Sequence, residues 1–587
     1  MGKNTKSRAA RKKAARKRQR NKILWIIIIV LLVLMGVTGY MLKRHYAPTK
    51  EMADRKSYFH LTDSNAIGLV CGKTCVENGA VEISGKPYLA CDKLSEYVGP
   101  VVYIDSETDV LRYVTPETFI EVQAGKAAYT ENGKEKAFDE PVLEKQDKTY
   151  YLSYRFVKEK THLDATLYHN PDRIVLDRGE ERPLAKLKEK SAIRIQTGVK
   201  SPVLTEKKKG AAVFVGEQID SWTEVMTEDG YRGYVETDRL GKTQIRKAKA
   251  LYPMVKPQKR KAPVRLAWDI MTNTHATEQA TKRIASLEGV NVLSPTWASP
   301  KDVSGNLILM EHADYVKAAH KKGLDVWMLV SDFDFGAGGI KTPEETEALL
   351  RSNASRDRFV QGIVQAALEA GADGINVDFE HVYTESAGNA FAELIKELSR
   401  LCHQKDLILS VDNYVPQPYN MQYHRNIQGL FADYVVIMGY DEHVDASEAP
   451  GPVDSLPFVK KGIADTLKEV PKEKVINAVP FYTRIWEQNP EKQGEAGWFK
   501  GLTCGMQEAQ AAVEKSGAKK IWDDSAAAYH AAWTGGAGLH YEVWIQDEKS
   551  LSMRLAAAEK ADIAGIAGWR IGYEEPFVWK MFEKWKK

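Results

Sequence analysis

Cysteine is scarce in this chain, with five in 587 residues at positions 71, 75, 91, 402 and 504. An odd, scattered set excludes a disulfide framework as the basis of the fold and leaves at most a pairing of Cys71 with Cys75. No Cys/His spacing of a zinc site occurs, so neither a metal nor a cofactor is expected. Acidic residues are absent from residues 1–22, which hold eleven Lys or Arg, and charge of either sign is absent from Ile23–Leu42. Twenty uncharged residues match a membrane span and exceed a signal-peptide core, and Met35-Gly36-Val37-Thr38-Gly39 makes a poor cleavage site. A basic flank of this kind predicts a single-pass protein of the cell membrane, N-terminus cytoplasmic and the rest extracellular. The competing reading of the basic run, a nucleic-acid-binding arm, is disfavoured because the run abuts the apolar span directly. Removing those eleven charges from the formal +4 leaves −7, so the positive balance belongs to the N-terminal arm and not to the remainder of the chain.

The segment Asp373-Gly374-Ile375-Asn376-Val377-Asp378-Phe379-Glu380 carries most of the chemistry. A helical pattern over 358–370 and the turn at Gly371-Ala372 precede it, which reads as helix, tight turn and buried strand. Side chains alternate across a strand, so Asn376, Asp378 and Glu380 share one face and Ile375, Val377 and Phe379 the other. Two carboxylates buried this close cost free energy unless they are paired, share a proton or perform chemistry. An ion cluster at a strand end, satisfied by neighbouring Arg or Lys, is the alternative.

Apolar runs suited to buried parallel strands recur at 264–269, 290–294, 325–330, 373–379, 407–412, 433–438, 475–480 and 563–569, most of them separated by helix-length amphipathic stretches. The fold class expected is α/β: a C-terminal (β/α)8 TIM barrel over 264–587. Glu380 falls at the C-terminal end of the fourth strand, where such barrels place catalytic groups.

The segment 373–380 resembles the active-site strand of glycoside hydrolase family 18, the chitinase-like barrels, whose pattern is Asp-Gly-x-Asp-x-Asp-x-Glu. Asn376 stands where an aspartate is usual, as in the branch acting on spore cortex and peptidoglycan. Met438-Gly439-Tyr440-Asp441, Pro480-Phe481-Tyr482-Thr483-Arg484 and Gly568-Trp569-Arg570 resemble the family's later strand-end motifs. The resemblance covers 263–587. It implies catalysis without an enzyme nucleophile, in which the 2-acetamido oxygen of the sugar attacks the anomeric carbon. Glu380 is then general acid and base, Asp378 raises its pKa and orients the acetamido N–H, and Tyr440 donates to the acetamido oxygen. Asp441 contacts the sugar, Trp569 floors its subsite, and Asp373 and Asn376 complete the motif. Asn376 can hydrogen-bond but cannot take up charge as an aspartate would.

Trp268, Trp297, Tyr414, Phe481, Tyr482 and Trp486 also fall at or just past strand ends, where each is either a stacking surface for sugar rings or ordinary packing beneath a loop. The chain between 480 and 563 exceeds what one helix needs, which predicts a small α+β insertion at about 487–545. Upstream, 78–178 reads as short strands and turns resembling the N-terminal module of copper amine oxidases. Residues 187–241 resemble a bacterial SH3-like domain, either a wall-peptide binder or a spacer. The Lys/Arg-rich, Pro-containing stretch 242–263 reads as an exposed linker. The function expected is a membrane-anchored glycosidase cutting after N-acetylglucosamine in peptidoglycan or spore cortex. Its alternatives are a chitin-type substrate, a non-catalytic glycan-binding protein, or a wall scaffold.

Overall fold

Gly371 ends the helix Asn353–Ala370 in the left-handed conformation (φ 75°), its N–H capping carbonyls of the last turn, and the chain turns straight into a buried strand. This unit repeats around a closed barrel in the computed structural model, which describes residues 5–249, 254–256, 258, 263–310, 312–333, 338–492 and 498–586. The barrel strands are β1 (Val264–Asp269), β2 (Val292–Pro300), β3 (Asp325–Ser331), β4 (Gly374–Asp378), β5 (Ile408–Tyr414), β6 (Tyr434–Met438), β7 (Val475–Pro480) and β8 (Gly565–Trp569). Each pairs in parallel with the next, and β8 pairs with β1 to close the ring. All eight apolar runs are therefore barrel strands, with ends shifted by a few residues.

The alternation read from β4 is realised. Ile375, Val377 and Phe379 face the outer helices, where Phe379 stacks on Phe391 at 5.6 Å and meets Phe359 at 6.0 Å. The other face fills the barrel. At Gly374 an added Cβ would come within 2.9 Å of the Trp327 ring and 2.7 Å of the Ile408 carbonyl, so only glycine fits beside that tryptophan. Between β7 and helix Glu548–Lys560, five antiparallel strands from Tyr482–Gln488 to His540–Ile545 and the helix Met506–Ser516 form an α+β insertion.

The chain divides into two units, Met1–Pro87 with Asp164–Lys249, and Tyr88–Leu163 with Ala250–Lys587. The segment 78–178 is thus apportioned between them. In the second unit, strands Tyr103–Asp105 to Lys134–Ala137 make a five-stranded antiparallel sheet whose Arg112 reaches the outer helices of the barrel. Arg112 donates to Asp357 at 2.7 and 2.8 Å and to Glu397 at 2.8 Å, and Arg356 meets the same Glu397 at 3.1 Å. Burial alone would raise the Glu397 carboxyl, but Arg356 and Arg112 hold it below the usual range. In the first unit, seven strands between Arg182 and Arg246 form an antiparallel sheet around Ile193, Val213, Val225 and Val235. That sheet takes in Gln244–Arg246, inside the stretch expected to be linker, while 250–253, 257 and 259–262 lie outside the described residues. The same unit contains the helix Thr5–Tyr46, whose span Arg8–Tyr46 has mean hydropathy 2.7 over its apolar window and is long and apolar enough to cross a membrane.

Candidate active site

Because every barrel strand runs the same way, their C-terminal ends share one face of the barrel. Asp378, Glu380, Tyr414, Met438, Tyr440, Asp441 and Trp569 line a cavity of about 120 Å³ there. Six of these seven are residues singled out from the sequence, drawn from β4, β5, β6 and β8.

Glu380 is held from two sides. Its backbone N–H donates to Asp332 Oδ1 and that of His381 to Asp332 Oδ2, both at 2.8 Å, and the Tyr414 hydroxyl donates to Glu380 Oε2. Burial raises the Glu380 carboxyl above its ordinary range, with Asp332 and Asp441 adding to it and the Tyr414 hydrogen bond opposing. Asp378 is 4% exposed, and among the described residues its buried Oδ1 has no hydrogen-bond partner. Burial, then Glu380, Asp412 and Asp332, push the Asp378 carboxyl well above its ordinary value. A Glu380 carboxyl raised in this way suits a proton donor near neutral pH.

Asp441 adopts the left-handed conformation at φ 60° and accepts from the Tyr482 hydroxyl at 2.5 Å and Arg484 at 2.7 Å. Tyr440 is buried edge-on to Tyr482, ring centroids 6.0 Å apart. Trp569 meets Trp268 edge-on at 5.7 Å.

Other singled-out residues lie elsewhere. Asn376 is one layer down, fully buried, its Oδ1 accepting from Trp268 Nε1 and Ser294 Oγ at 2.9 Å each. Trp268 is thereby a support for Asn376 and offers no open face. Trp297 is enclosed against Tyr315, and Trp486, with Nε1 donating to the Gly451 carbonyl at 2.8 Å, is enclosed beneath the β6 loop. Phe481 packs outside the barrel on Trp579 and Phe582. These rings satisfy the packing alternative, because protein atoms already occupy both faces. Tyr482 is also buried and acts through Asp441. Asp373 sits at the opposite, N-terminal end of β4, accepting from the Val326 N–H and meeting His320, each at 2.8 Å, and so is set apart from the cavity.

Two acids of the cluster were not singled out: Asp332 after β3 and Asp412 near the end of β5. Each is a carboxylate closing an apolar strand run, the same signal that marked Asp378.

The fold is a (β/α)8 barrel with buried acids and Trp569 at its strand ends, an architecture that hosts many chemistries. Residues 301–574 match the family model described as glycosyl hydrolases family 18, and the chain carries a domain of that family. It is 24% identical over 277 residues to the uncharacterized glycosylase YvbX of Bacillus subtilis (strain 168), covering 46% of this chain and 77% of that protein. To the cortical fragment-lytic enzyme of Bacillus anthracis it is 25% identical over 240 residues, 40% of this chain and 55% of that one. The match therefore spans about half the length of that relative. Among solved structures, the spore cortex-lytic enzyme SleL of Bacillus cereus aligns with TM-score 0.49 at 21% identity, over 58% of this chain and 78% of that one.

Proposed function

We propose that the protein is a membrane-anchored, extracytoplasmic glycosidase that cuts β-1,4 bonds after N-acetylglucosamine in peptidoglycan or spore cortex, by substrate-assisted catalysis with retention. The observation that carries this reading is the convergence of Glu380, Asp378, Tyr440 and Trp569 on one cavity. Glu380 protonates the leaving oxygen while the acetamido oxygen of the bound sugar attacks the anomeric carbon. The C–O bond breaks and an oxazolinium ion forms, its N–H held by Asp378 and its oxygen by Tyr440. Water then opens that ring at the anomeric carbon, giving its proton to Glu380, and the two inversions leave the configuration unchanged. Asp441, fixed by Tyr482 and Arg484, contacts the sugar, and Trp569 forms the floor beneath it.

The apolar helix and its basic flank support anchoring with the barrel outside. The cortical fragment-lytic relatives support a wall glycan over chitin. We assign 78–178 and 187–241 as accessory modules, resembling the copper amine oxidase N-terminal module and a bacterial SH3-like domain, that hold the enzyme at its polymer. The test is mass spectrometry of fragments released from purified walls. Fragments with N-acetylglucosamine at the reducing end are expected; N-acetylmuramic acid there overturns the bond assignment, and release only from chitin overturns the polymer.

A further inference from the structure

No free linker follows the apolar helix. It ends at Tyr46, the Ala47 N–H still donates to the Lys43 carbonyl at 2.8 Å, and by Thr49 the backbone is bonded to the sheet that spans Arg182–Arg246. The Thr49 N–H donates to the Val199 carbonyl and the Val203 N–H to the Glu51 carbonyl, both at 2.8 Å, and the Ala53 N–H returns to Val203 at 2.9 Å. Arg194, 5% exposed, closes the join, its guanidinium donating to the Ser201 carbonyl at 2.6 Å and to the Thr49 carbonyl at 3.3 Å. Helix and sheet are therefore welded.

The weld sets a depth. Lys200 lies on the loop 195–202, between strands Ser191–Arg194 and Val203–Lys207, and its ammonium donates to the Arg44 carbonyl at 2.6 Å. Arg44 stands just past Leu42, the last residue of the uncharged span, about 3 Å further along the axis at ~1.5 Å per residue. The headgroup layer on each side of a bilayer is about 5–7 Å deep, so a helix seated with Ile23–Leu42 in hydrocarbon puts Lys200 among the headgroups. The charges gathered there are nearly all of one sign. Lys43, Arg44, Lys50 and Lys200 are exposed, and among the described residues none of them pairs with a carboxylate. The loop 195–202 contains no acid, and Glu51 is the one acid within 43–53. The loop also exposes Ile195, an apolar side chain suited to the edge of the hydrocarbon.

We infer that the loop 195–202 and the adjoining helix end form a docking surface for anionic phospholipid, in which Lys200, Lys50, Lys43 and Arg44 take headgroup phosphates and the sheet stands on the bilayer with this loop down. A wall polymer would have to enter the headgroup layer to reach Lys200, whereas the lipid is already there. The depth follows from the membrane anchoring proposed above, so the inference rests on that reading.

The experiment is lysine acylation of the full-length protein in lipid nanodiscs, read residue by residue by peptide mass spectrometry. In phosphatidylglycerol discs Lys50 and Lys200 are expected to react about fivefold more slowly than in phosphatidylcholine discs, and high salt should remove the difference. Lys208, exposed at the other end of the hairpin, should react alike in both. The Lys50→Gln/Lys200→Gln variant, taken into detergent, should carry severalfold less phosphatidylglycerol by native mass spectrometry. Equal reactivity of Lys200 in the two discs, or equal lipid retention by the variant, overturns the inference. So does equal protection in phosphatidylcholine discs by inorganic phosphate or by muropeptides, which would make the loop a site for a free anion or for the wall. Incorporation into phosphatidylcholine discs, which carry no net charge, tests the anchor by itself. A chain that stays outside them loses the anchor and this inference together; a chain that enters them but shows no lipid-dependent protection of Lys200 loses the inference alone.

Discussion

Asp332 accepts the backbone N–H of Glu380 at 2.8 Å and, through its other oxygen, the N–H of His381. The carboxylate after β3 thus fixes the backbone that carries the acid of β4, and its burial means no water can substitute. Asparagine offers only one acceptor oxygen, leaving one of these N–H groups facing an amide donor. Asp332→Asn is expected to lose about 10²-fold in kcat with little change in KM, because a displacement near 1 Å at the reacting group costs that much. Steady-state kinetics on a wall-glycan oligomer, with circular dichroism to confirm folding, measures it. A rise in KM at unchanged kcat would show that Asp332 serves binding instead.

Glu380→Gln is expected to lower kcat by at least ~10²–10⁴-fold while leaving sugar binding largely intact, since glutamine keeps the shape and cannot donate the proton. Asp378→Asn is expected to be severe as well, and worse than Asn376→Ala. Calorimetric binding of an inhibitor beside turnover separates the two effects. Near wild-type turnover in Glu380→Gln, or the reverse ranking of Asp378 and Asn376, would mean the ladder is misassigned.

In the proposed mechanism the acid form of Glu380 is the active one, so kcat/KM should fall as pH rises through its elevated pKa. Tyr414 donates to Glu380 and favours the ionised form. Tyr414→Phe removes that bond, raises the Glu380 pKa further, and should move the alkaline limb of the pH profile upward. A downward shift would contradict the assignment of this limb to Glu380.

If the acetamido group is the nucleophile, a thiazoline analogue of the oxazoline should inhibit and de-N-acetylated strands should resist cleavage. Product NMR should show retained anomeric configuration. Inverted products, or efficient cleavage of de-N-acetylated glycan, would exclude the mechanism.

Arg112→Ala removes the guanidinium of Asp357 and one of the two that meet Glu397, which keeps Arg356. Losing one partner of a buried ion pair outright costs about 3–5 kcal/mol, so with Arg356 retained a smaller destabilisation is expected, measurable by urea unfolding. Glu397 has a depressed carboxyl pKa in the folded state, so this contribution is present at neutral pH and lost as pH falls through that value. The difference between variant and wild type should shrink accordingly in acid. Equal stability at pH 7 would show that Arg112 is dispensable.

Local periodicity carried a large share of this structure. The eight strand runs, the alternation that places Asn376 and Asp378 on one face and Phe379 on the other, and the helix-turn-strand at Gly371 depend on residues near in sequence. They were legible from spacing alone. So was the apolar helix at the N-terminus, because its length and lack of charge are properties of one segment. What lies across from a residue is decided by register between strands far apart in the chain. For that reason Asp332 and Asp412 went unmarked although each closes an apolar run. For the same reason spacing left Trp268, Trp297 and Trp486 open between sugar platform and packing, and only the neighbouring elements that enclose them decide for packing. Asp373 shares the motif of Glu380 but ends at the other mouth of the barrel, since a five-residue strand separates the two. Closure of the barrel alone brought Tyr414, Tyr440 and Trp569 within reach of one acid, because parallel strands all end on the same face.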